Sequence, residues 1–278
     1  MKNRIFDVVM PILPKNDLSH WVGKFVHQPL PRPIGQKSVE WFAKYYNIDL
    51  SEAEFPIDHY RTIGELFTRK LKPGVRPIGA GVVHCADAFV SEAGSIEHQT
   101  LIQAKGKQYT VNELLKTSEF SANFENGQFM TYYLCPTDYH RVHCPVDGEI
   151  IWSNHIPGTM WPVNEWSVNA IPNLFAINER VAVVMQTPKG KVALVMVAAT
   201  NVGNMTMSFD SEITSRVRKA DRQPKERHYS PTVPVHRGDE IGIFHMGSTV
   251  VMLFENGVLP QSPSIHKGKA TKMGGSLF

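Results

Sequence analysis

The sequence lacks a long hydrophobic run and a strong excess of one charge. Its longest uninterrupted apolar stretch, 192–199, has eight residues, far short of the roughly 20 that span a bilayer. Near the N-terminus, Asp7, Pro11 and Pro14 interrupt any signal-peptide core. The formal net charge is +3, too small to indicate a nucleic-acid partner. We therefore expect a cytoplasm-facing protein, soluble or peripheral to a membrane, that binds no nucleic acid.

Cysteine is also scarce. Cys85, Cys135 and Cys144 form no C-x-x-C pair, and their odd number argues against a disulfide framework. Such a sequence is typical of a reducing compartment. With 42% hydrophobic and 20% charged residues, the chain has the composition of a folded globular protein.

Residues 1–75 carry helical patterns. Apolar side chains recur at helical spacing within 18–26 and 39–46, and Thr62-Ile63-Gly64-Glu65 fits a capping box that opens a third helix, ended by Pro73-Gly74. These stripes have two interpretations: a core-facing side, or a membrane-surface face. The second is favoured by aromatic residues that alternate with lysines, among them Trp21, Phe25, Trp41 and Phe42.

From about residue 76 the pattern becomes β-rich. Short apolar runs lie between turn signals such as Lys189-Gly190 and Asn256-Gly257. The runs that we expect to form strands are 128–134, 148–156, 181–187, 191–198 and 250–254. The polar, proline-bearing segment 216–237 is expected to be a surface loop. The predicted class is α+β, with a helical, membrane-associating region over 1–75 and a β-rich catalytic domain over 76–278.

Two segments carry residues of catalytic type. Gly247-Ser248 precedes an apolar run, although the pairs Gly94-Ser95 and Gly275-Ser276 show that the dipeptide alone indicates no more than a turn. Asp138, His140 and His143 lie within six residues. A His-x-x-His pair can bind zinc only on a helical turn, because positions i and i+3 of a strand face opposite ways. The flanking prolines leave little room for a helix, so we expect no metal site.

An ordered series of motifs resembles the phosphatidylserine decarboxylase family, the self-cleaving pyruvoyl-dependent proenzymes. The motifs are Phe67–Gly74 with Arg76-Pro77-Ile78, Ala86-Asp87, Ala104-Lys105-Gly106, Asp138–Pro145, Asn173–Arg180, Ala198–Gly203 and Met246-Gly247-Ser248-Thr249. Three positions depart from the family pattern: Cys85 replaces a proline, Ala88 a glycine and Met246 a leucine. None of these changes removes Asp87, His143 or Ser248.

The resemblance implies a self-cleaving carboxy-lyase. Ser248 would attack the carbonyl of Gly247, giving a β chain of residues 1–247 and an α chain of residues 248–278 that begins with a covalent pyruvoyl group. The expected reaction converts phosphatidylserine to phosphatidylethanolamine and CO2 through a Schiff base with that group. A serine hydroxyl needs a base, and we assign His143, oriented by Asp87 as in a Ser-His-Asp relay. His140 and Tyr133 are candidates for headgroup contact and proton delivery, and Asp138 for a supporting role.

The same resemblance predicts the partners. The substrate would lie in an anionic membrane, and we expect a peripheral protein on the cytoplasmic face of the cell membrane. The α and β chains of one precursor would stay together, and a homodimer is an open expectation. Two alternatives remain: a processing-dead lipid-binding protein on the same scaffold, and, more distantly, a Ser-His-Asp hydrolase that uses Ser248.

Overall fold

A computed structural model describes residues 26–104, 106–200, 204–213, 223–245, 248–260 and 267–278. An eight-stranded antiparallel sheet forms the centre of the molecule. In spatial order its strands are β10 (Lys225–Val235), β6 (Gly148–Ile156), β7 (Arg180–Thr187), β8 (Gly190–Ala198), β12 (Ser248–Phe254), β4 (Gln128–Leu134), β1 (Ala88–Ser95) and β13 (Ala270–Thr271).

The inner strands are buried on both faces. Seven of the eight residues of β7 are buried. Because successive side chains point to opposite faces, both faces of the sheet must be covered here, which explains the continuous apolar run. A tight turn at Gly190 joins β7 to β8. The φ of Gly190 is 134°, a backbone angle that favours glycine. The predicted strands are confirmed, because long apolar runs bounded by turn residues have few alternatives to pairing.

One face of the sheet is covered by small elements. They are the hairpin β2 (Thr100–Ala104) and β3 (Lys107–Thr110) and the helices α3 (Val111–Leu115), α4 (Glu165–Ala170) and α5 (Leu174–Ile177). Arg180 reaches them from β7, donating hydrogen bonds to the carbonyls of Glu113 (2.7 Å) and Leu114 (2.6 Å). The free carbonyls in the last turn of α3 therefore supply hydrogen-bond acceptors to this buried guanidinium.

The opposite face is covered by a three-stranded sheet. Its order is β5 (Arg141–His143), β11 (Glu240–Phe244) and β9 (Met205–Met207). Cys144 contacts Met185 of β7 at 3.5 Å between sulfur atoms. A Cβ built on Gly242 would lie 3.0 Å from the sulfur of Met196 in β8, so the two sheets pack closely only because this position has no side chain.

The N-terminal part has its own small core. Helix α1 (Arg32–Tyr45) and the short helix α2 (Ile63–Phe67) are joined through a 3₁₀ turn at Ile57–His59. Their buried side chains form a cluster separate from the main core. The helix predicted over 18–26 lies outside the described residues except at its last position, and the boundary near residue 75 stays a prediction. No helix in the described ranges is long and apolar enough to cross a membrane.

Two local predictions were wrong. Helix α2 ends at Phe67 rather than at Pro73-Gly74. The Thr62 hydroxyl accepts from the Glu65 N–H, but the Glu65 carboxylate accepts from the backbone N–H of Arg61 instead of closing the capping box. The predicted loop over 216–237 contains strand β10 within its described part. This strand lies at the sheet edge, where prolines cost no ladder hydrogen bond.

Candidate active site

Ser248 is the first residue of an inner strand. Its backbone is opposite Leu134 of β4 on one side and Ala198 of β8 on the other. Gly247 and Met246, the predicted cleavage position and its neighbour, lie outside the described residues. Position 248 is therefore held by pairing on both sides, and a chain that began at this residue would remain paired in the sheet.

His143 is buried in the small sheet with both ring nitrogens bonded. Nδ1 lies 2.7 Å from the carbonyl oxygen of Gly238 and Nε2 lies 3.0 Å from the hydroxyl of Tyr139. Because a carbonyl only accepts, Nδ1 carries the proton and Nε2 of the neutral ring accepts from Tyr139. Burial lowers the pKa of His143 below its ordinary value. The ring is thus neutral at pH 7 and presents the lone pair that a general base needs.

Asp87 is held by cations rather than by a histidine. Its carboxylate accepts from Arg76 Nε at 3.0 Å, from a second Arg76 nitrogen at 2.6 Å, from Lys272 Nζ at 3.1 Å and from the backbone N–H of Met273 at 2.9 Å. Burial opposes ionisation, but the hydrogen bonds from Arg76 and Met273 outweigh it and lower the pKa of Asp87. Arg76 also binds Glu52 in a bidentate pair.

The predicted hydrogen bond between Asp87 and His143 is not formed. Gly238 and Tyr139 occupy both nitrogens of His143, and Asp87 is bound to Arg76. The carboxylate can act on the imidazole through its charge alone, since its field favours the protonated ring. The assignment of a relay to these residues stays a prediction.

His140 lies beside the N-terminal core. It is fully buried, its ring centroid is 3.9 Å from that of Phe67, and Nδ1 donates to the carbonyl of Asp138 at 2.9 Å. Nε2 has no hydrogen-bond partner within the described part of the chain. Burial lowers the pKa of His140 to about 3. The Asp138 carboxylate accepts from the N–H of Cys135 at 2.7 Å, so it shapes the turn before β5 rather than contacting either ring.

Tyr133 lines a cavity on the other face of the main sheet. Phe89, Tyr133 and Thr249 occupy one row across β1, β4 and β12. With Val163 and Phe175, among others, they enclose a cavity of about 410 Å³. The structure therefore places Tyr133 and His140 in different surroundings, and it does not bring them together.

Comparison with known proteins decides the family. A sequence model described as phosphatidylserine decarboxylase matches residues 63–278. The phosphatidylserine decarboxylase proenzyme of Myxococcus xanthus is 41% identical over 278 residues, covering 99% of this chain and 98% of the relative. The proenzyme of Anaeromyxobacter sp. is 40% identical over 280 residues (100% and 99%), and that of Brevibacillus brevis 39% over 270 residues (95% and 94%). This chain belongs to the phosphatidylserine decarboxylase family.

The sequence analysis did not identify two residues that bind the predicted catalytic side chains. Arg76 and Tyr139 both lie in motifs that resemble the phosphatidylserine decarboxylase family, yet neither was assigned a role. Arg76 binds Asp87, and Tyr139 binds His143. A single sequence offers no signal for such partners, because they are decided by how distant segments pack.

The buried His140 and the half-buried His84 predict acid sensitivity. An unfolded histidine takes up its proton near pH 6.5, whereas the pKa of folded His140 is about 3 and that of folded His84 about 4, both lowered by burial. The unfolded chain therefore binds more protons below pH 6.5, and stability falls as the pH drops. His140 alone accounts for a loss of about 2 kcal/mol between pH 6.5 and pH 5.

Urea unfolding at pH 7 and pH 5 measures this loss. We expect His140→Phe, which keeps an aromatic ring beside Phe67 but cannot titrate, to lose less stability than the parent chain. The exposed His98 provides the control, and His98→Asn should match the parent at both pH values. A decline in His140→Phe as large as in the parent would contradict the assignment.

Proposed function

We propose that this chain is a precursor that cuts itself between Gly247 and Ser248 and then converts phosphatidylserine to phosphatidylethanolamine and CO2. Family membership over most of the chain supports the activity. The observation that carries the self-cleavage is the position of Ser248 at the start of an inner strand, on a sheet whose neighbouring layer bears the neutral His143.

The residues around position 248 fit a covalent pyruvoyl group. A new N-terminus at 248 keeps its pairing with Leu134 and Ala198, so the group would be fixed to rigid backbone. A pyruvoyl ketone accepts the electron pair that remains when a carboxylate leaves as CO2. Glycine at 247 has no Cβ to obstruct attack on its carbonyl.

His143 is our choice of base for the cut. Its Nε2 is the acceptor position, and the Tyr139 hydroxyl occupies it in this state. A proton from Ser248 reaches Nε2 either through that hydroxyl or directly after Tyr139 turns aside. Burial raises the pKa of Tyr139, so the phenol keeps its proton at neutral pH and can act only by exchanging it.

His140 is our choice for contact with the substrate headgroup. The neutral ring has its proton on Nδ1, so the unpartnered Nε2 is the ring atom that can contact the headgroup. Delivery of a proton to the substrate carbon requires that His140 first be protonated, which its low pKa opposes in the resting protein. Tyr133 borders the 410 Å³ cavity on the other face of the main sheet. It is our choice for a second contact with the substrate headgroup.

Intact-mass spectrometry tests the cut, and CO2 release from phosphatidylserine vesicles tests the reaction. We expect two fragments, 1–247 and 248–278, the smaller with a pyruvoyl group in place of Ser248. An uncut chain that binds vesicles but releases no CO2 would instead indicate the processing-dead lipid-binding protein. A fluorophosphonate label on Ser248 of an uncut chain would indicate the hydrolase.

We propose further that the N-terminal region lies on the cytoplasmic face of the cell membrane. Ile34, Trp41 and Tyr45 share the outer side of α1 and are 59%, 60% and 67% exposed. Lys37 and Lys44 are exposed on the same helix, which suits an anionic lipid surface. The other side of α1 packs on the cluster that contains Phe67, next to His140, so docking would bring the headgroups close to this histidine.

Loss of the two aromatic rings should weaken membrane binding. Each ring is expected to bury enough apolar area for about 1.5 kcal/mol or more, so Trp41→Ser with Tyr45→Ser should lower vesicle affinity about 100-fold. Co-sedimentation with phosphatidylserine-containing vesicles measures it. Phe278→Ser, which removes another ring that is 50% exposed, is the matched control. Equal affinity of both variants would contradict docking through α1.

A further inference from the structure

A buried acid and a buried histidine face each other beside the main sheet, outside the residues assigned so far. Glu179 is 2% exposed and His155 is 1% exposed. His155 Nε2 lies 3.0 Å from Glu179 Oε1. The other carboxylate oxygen, Oε2, and the other ring nitrogen, Nδ1, have no hydrogen-bond partner within the described ranges. Each group therefore retains unused bonding capacity although it is almost fully buried.

The sheet register brings Glu179 into the row of the cleavage site. The Ala198 N–H donates to the carbonyl of Glu179 at 2.8 Å, and Ala198 is opposite Ser248. The row across neighbouring strands is therefore Leu134, Ser248, Ala198 and Glu179. Two strand spacings separate the backbones of Glu179 and Ser248, about 10 Å. Ala198, whose side chain is a single methyl group, lies between them.

Side-chain alternation fixes the face. Arg180 points to the helical side of the sheet, where it binds the carbonyls of α3. Its neighbour Glu179 consequently points to the opposite side, which the small sheet with His143 covers. His155 agrees with this, because it is opposite Val181 of β7, two residues after Glu179 in the chain.

The carboxylate can accept a bond from one more cationic donor. No lysine or arginine bonds to Glu179 in the part of the chain that the structure describes, and the adjacent Arg180 is directed to the other face. A buried carboxylate is stable only when charges or hydrogen bonds satisfy it. His155 satisfies one oxygen, and Oε2 is open to a group that carries positive charge and protons.

We propose that Glu179 binds the ammonium group of the substrate beside position 248 and accepts one of its protons, with His155 as the positioning residue. This inference rests on the proposed function. A phosphatidylserine headgroup carries a primary ammonium next to the carboxylate that is lost. The ammonium nitrogen must give up a proton before its electron pair can bond to a carbonyl carbon. The proton passes to Oε2, converting carboxylate to carboxylic acid, and returns to the oxygen that leaves as water, which regenerates the carboxylate.

Two carbonyl reagents of different charge test the proposal on the matured protein. Hydroxylamine is uncharged at neutral pH and needs no deprotonation, whereas glycerophosphoserine enters as an ammonium. The rate of each modification is read from the mass of the 248–278 fragment, with cyanoborohydride present to fix the amine. For Glu179→Gln we expect normal cutting, an unchanged hydroxylamine rate and an amine rate lowered about 100-fold.

Two further variants complete the experiment. Glu149→Gln removes an exposed carboxylate from β6, the strand that carries His155, and should leave both rates unchanged. His155→Asn should lower the amine rate alone, by about tenfold, because the carboxylate remains but is no longer held. It also covers the case in which Glu179→Gln does not fold.

Three results would overturn the proposal: equal slowing of both reagents, no slowing of either, or a folded Glu179→Gln chain that stays uncut. Failure of the parent chain to cut itself, or to react with hydroxylamine, would instead refute the proposed function. The two failures are therefore distinguishable.

Discussion

Changing Ser248 to alanine will leave the chain uncut at 31.3 kDa and without decarboxylase activity. The variant lacks the oxygen that would attack Gly247, and no other group can become a ketone at that position. Alanine fits the backbone pairing with Leu134 and Ala198, so the fold should be retained. Gel electrophoresis under denaturing conditions, intact mass and thermal unfolding of the same sample measure cutting and folding together.

A second Gly-Ser pair provides the control for this experiment. Gly94-Ser95 also lies in the main sheet, within β1, and Ser95 is exposed. Ser95→Ala should be cut as completely as the parent chain, because Ser95 is exposed at the end of β1, far along the strand from the row that contains Ser248. A fragment beginning at residue 248 from the Ser248→Ala chain would refute serine-initiated cleavage.

Changing His143 to alanine should slow the cut by a factor of about 100 to 10,000, the usual contribution of a positioned general base. The time course of fragment appearance in a cell-free synthesis measures the rate. The sign of the pH dependence follows from burial, which lowers the pKa of His143 below 6.5. The ring stays neutral at pH 7, so the parent rate should be level from pH 8 to about 6.5 and fall only at lower pH.

Two companion variants separate the base from its surroundings. Tyr139→Phe keeps the ring stacked on His143 but removes the hydroxyl at Nε2; a slow cut would indicate proton passage through Tyr139, and a fast one direct transfer. Asp87→Asn leaves Arg76 with the single carboxylate of Glu52 and should cost about 3–5 kcal/mol of stability. A His143→Ala chain that matures at the parent rate would refute the assignment of the base.

The sequence was most informative where neighbouring residues decide the outcome. The strands of the main sheet follow from apolar runs that end at turn glycines such as Gly190. Strand β10 was missed, because its polar side chains and prolines resemble a loop unless the edge position is known. The class, with its β-rich part, could be predicted, whereas the order of the strands could not.

The candidate site shows the same division. Ser248, His143 and Asp87 could be named from motifs, but their hydrogen bonds could not. Asp87 is bound by Arg76, eleven positions earlier, and by Lys272 and Met273 near the other end of the chain. Pairing of β1 with β13 brings Lys272 and Met273 to Asp87. Glu179 lies in one of the family motifs, but its burial is not visible in a single sequence.

Strand β12 lies between β8 and β4, and this arrangement has a consequence for the cut protein. The 248–278 segment supplies that inner strand, the edge strand β13, and two of the groups that bind Asp87. Scission of the peptide link would thus turn one polypeptide into two subunits that complete each other's hydrogen bonding. Their union would depend on concentration, as that of any heterodimer does. After complete denaturation, the cut protein can refold only if its two chains meet in solution, whereas the uncut precursor refolds as a single chain.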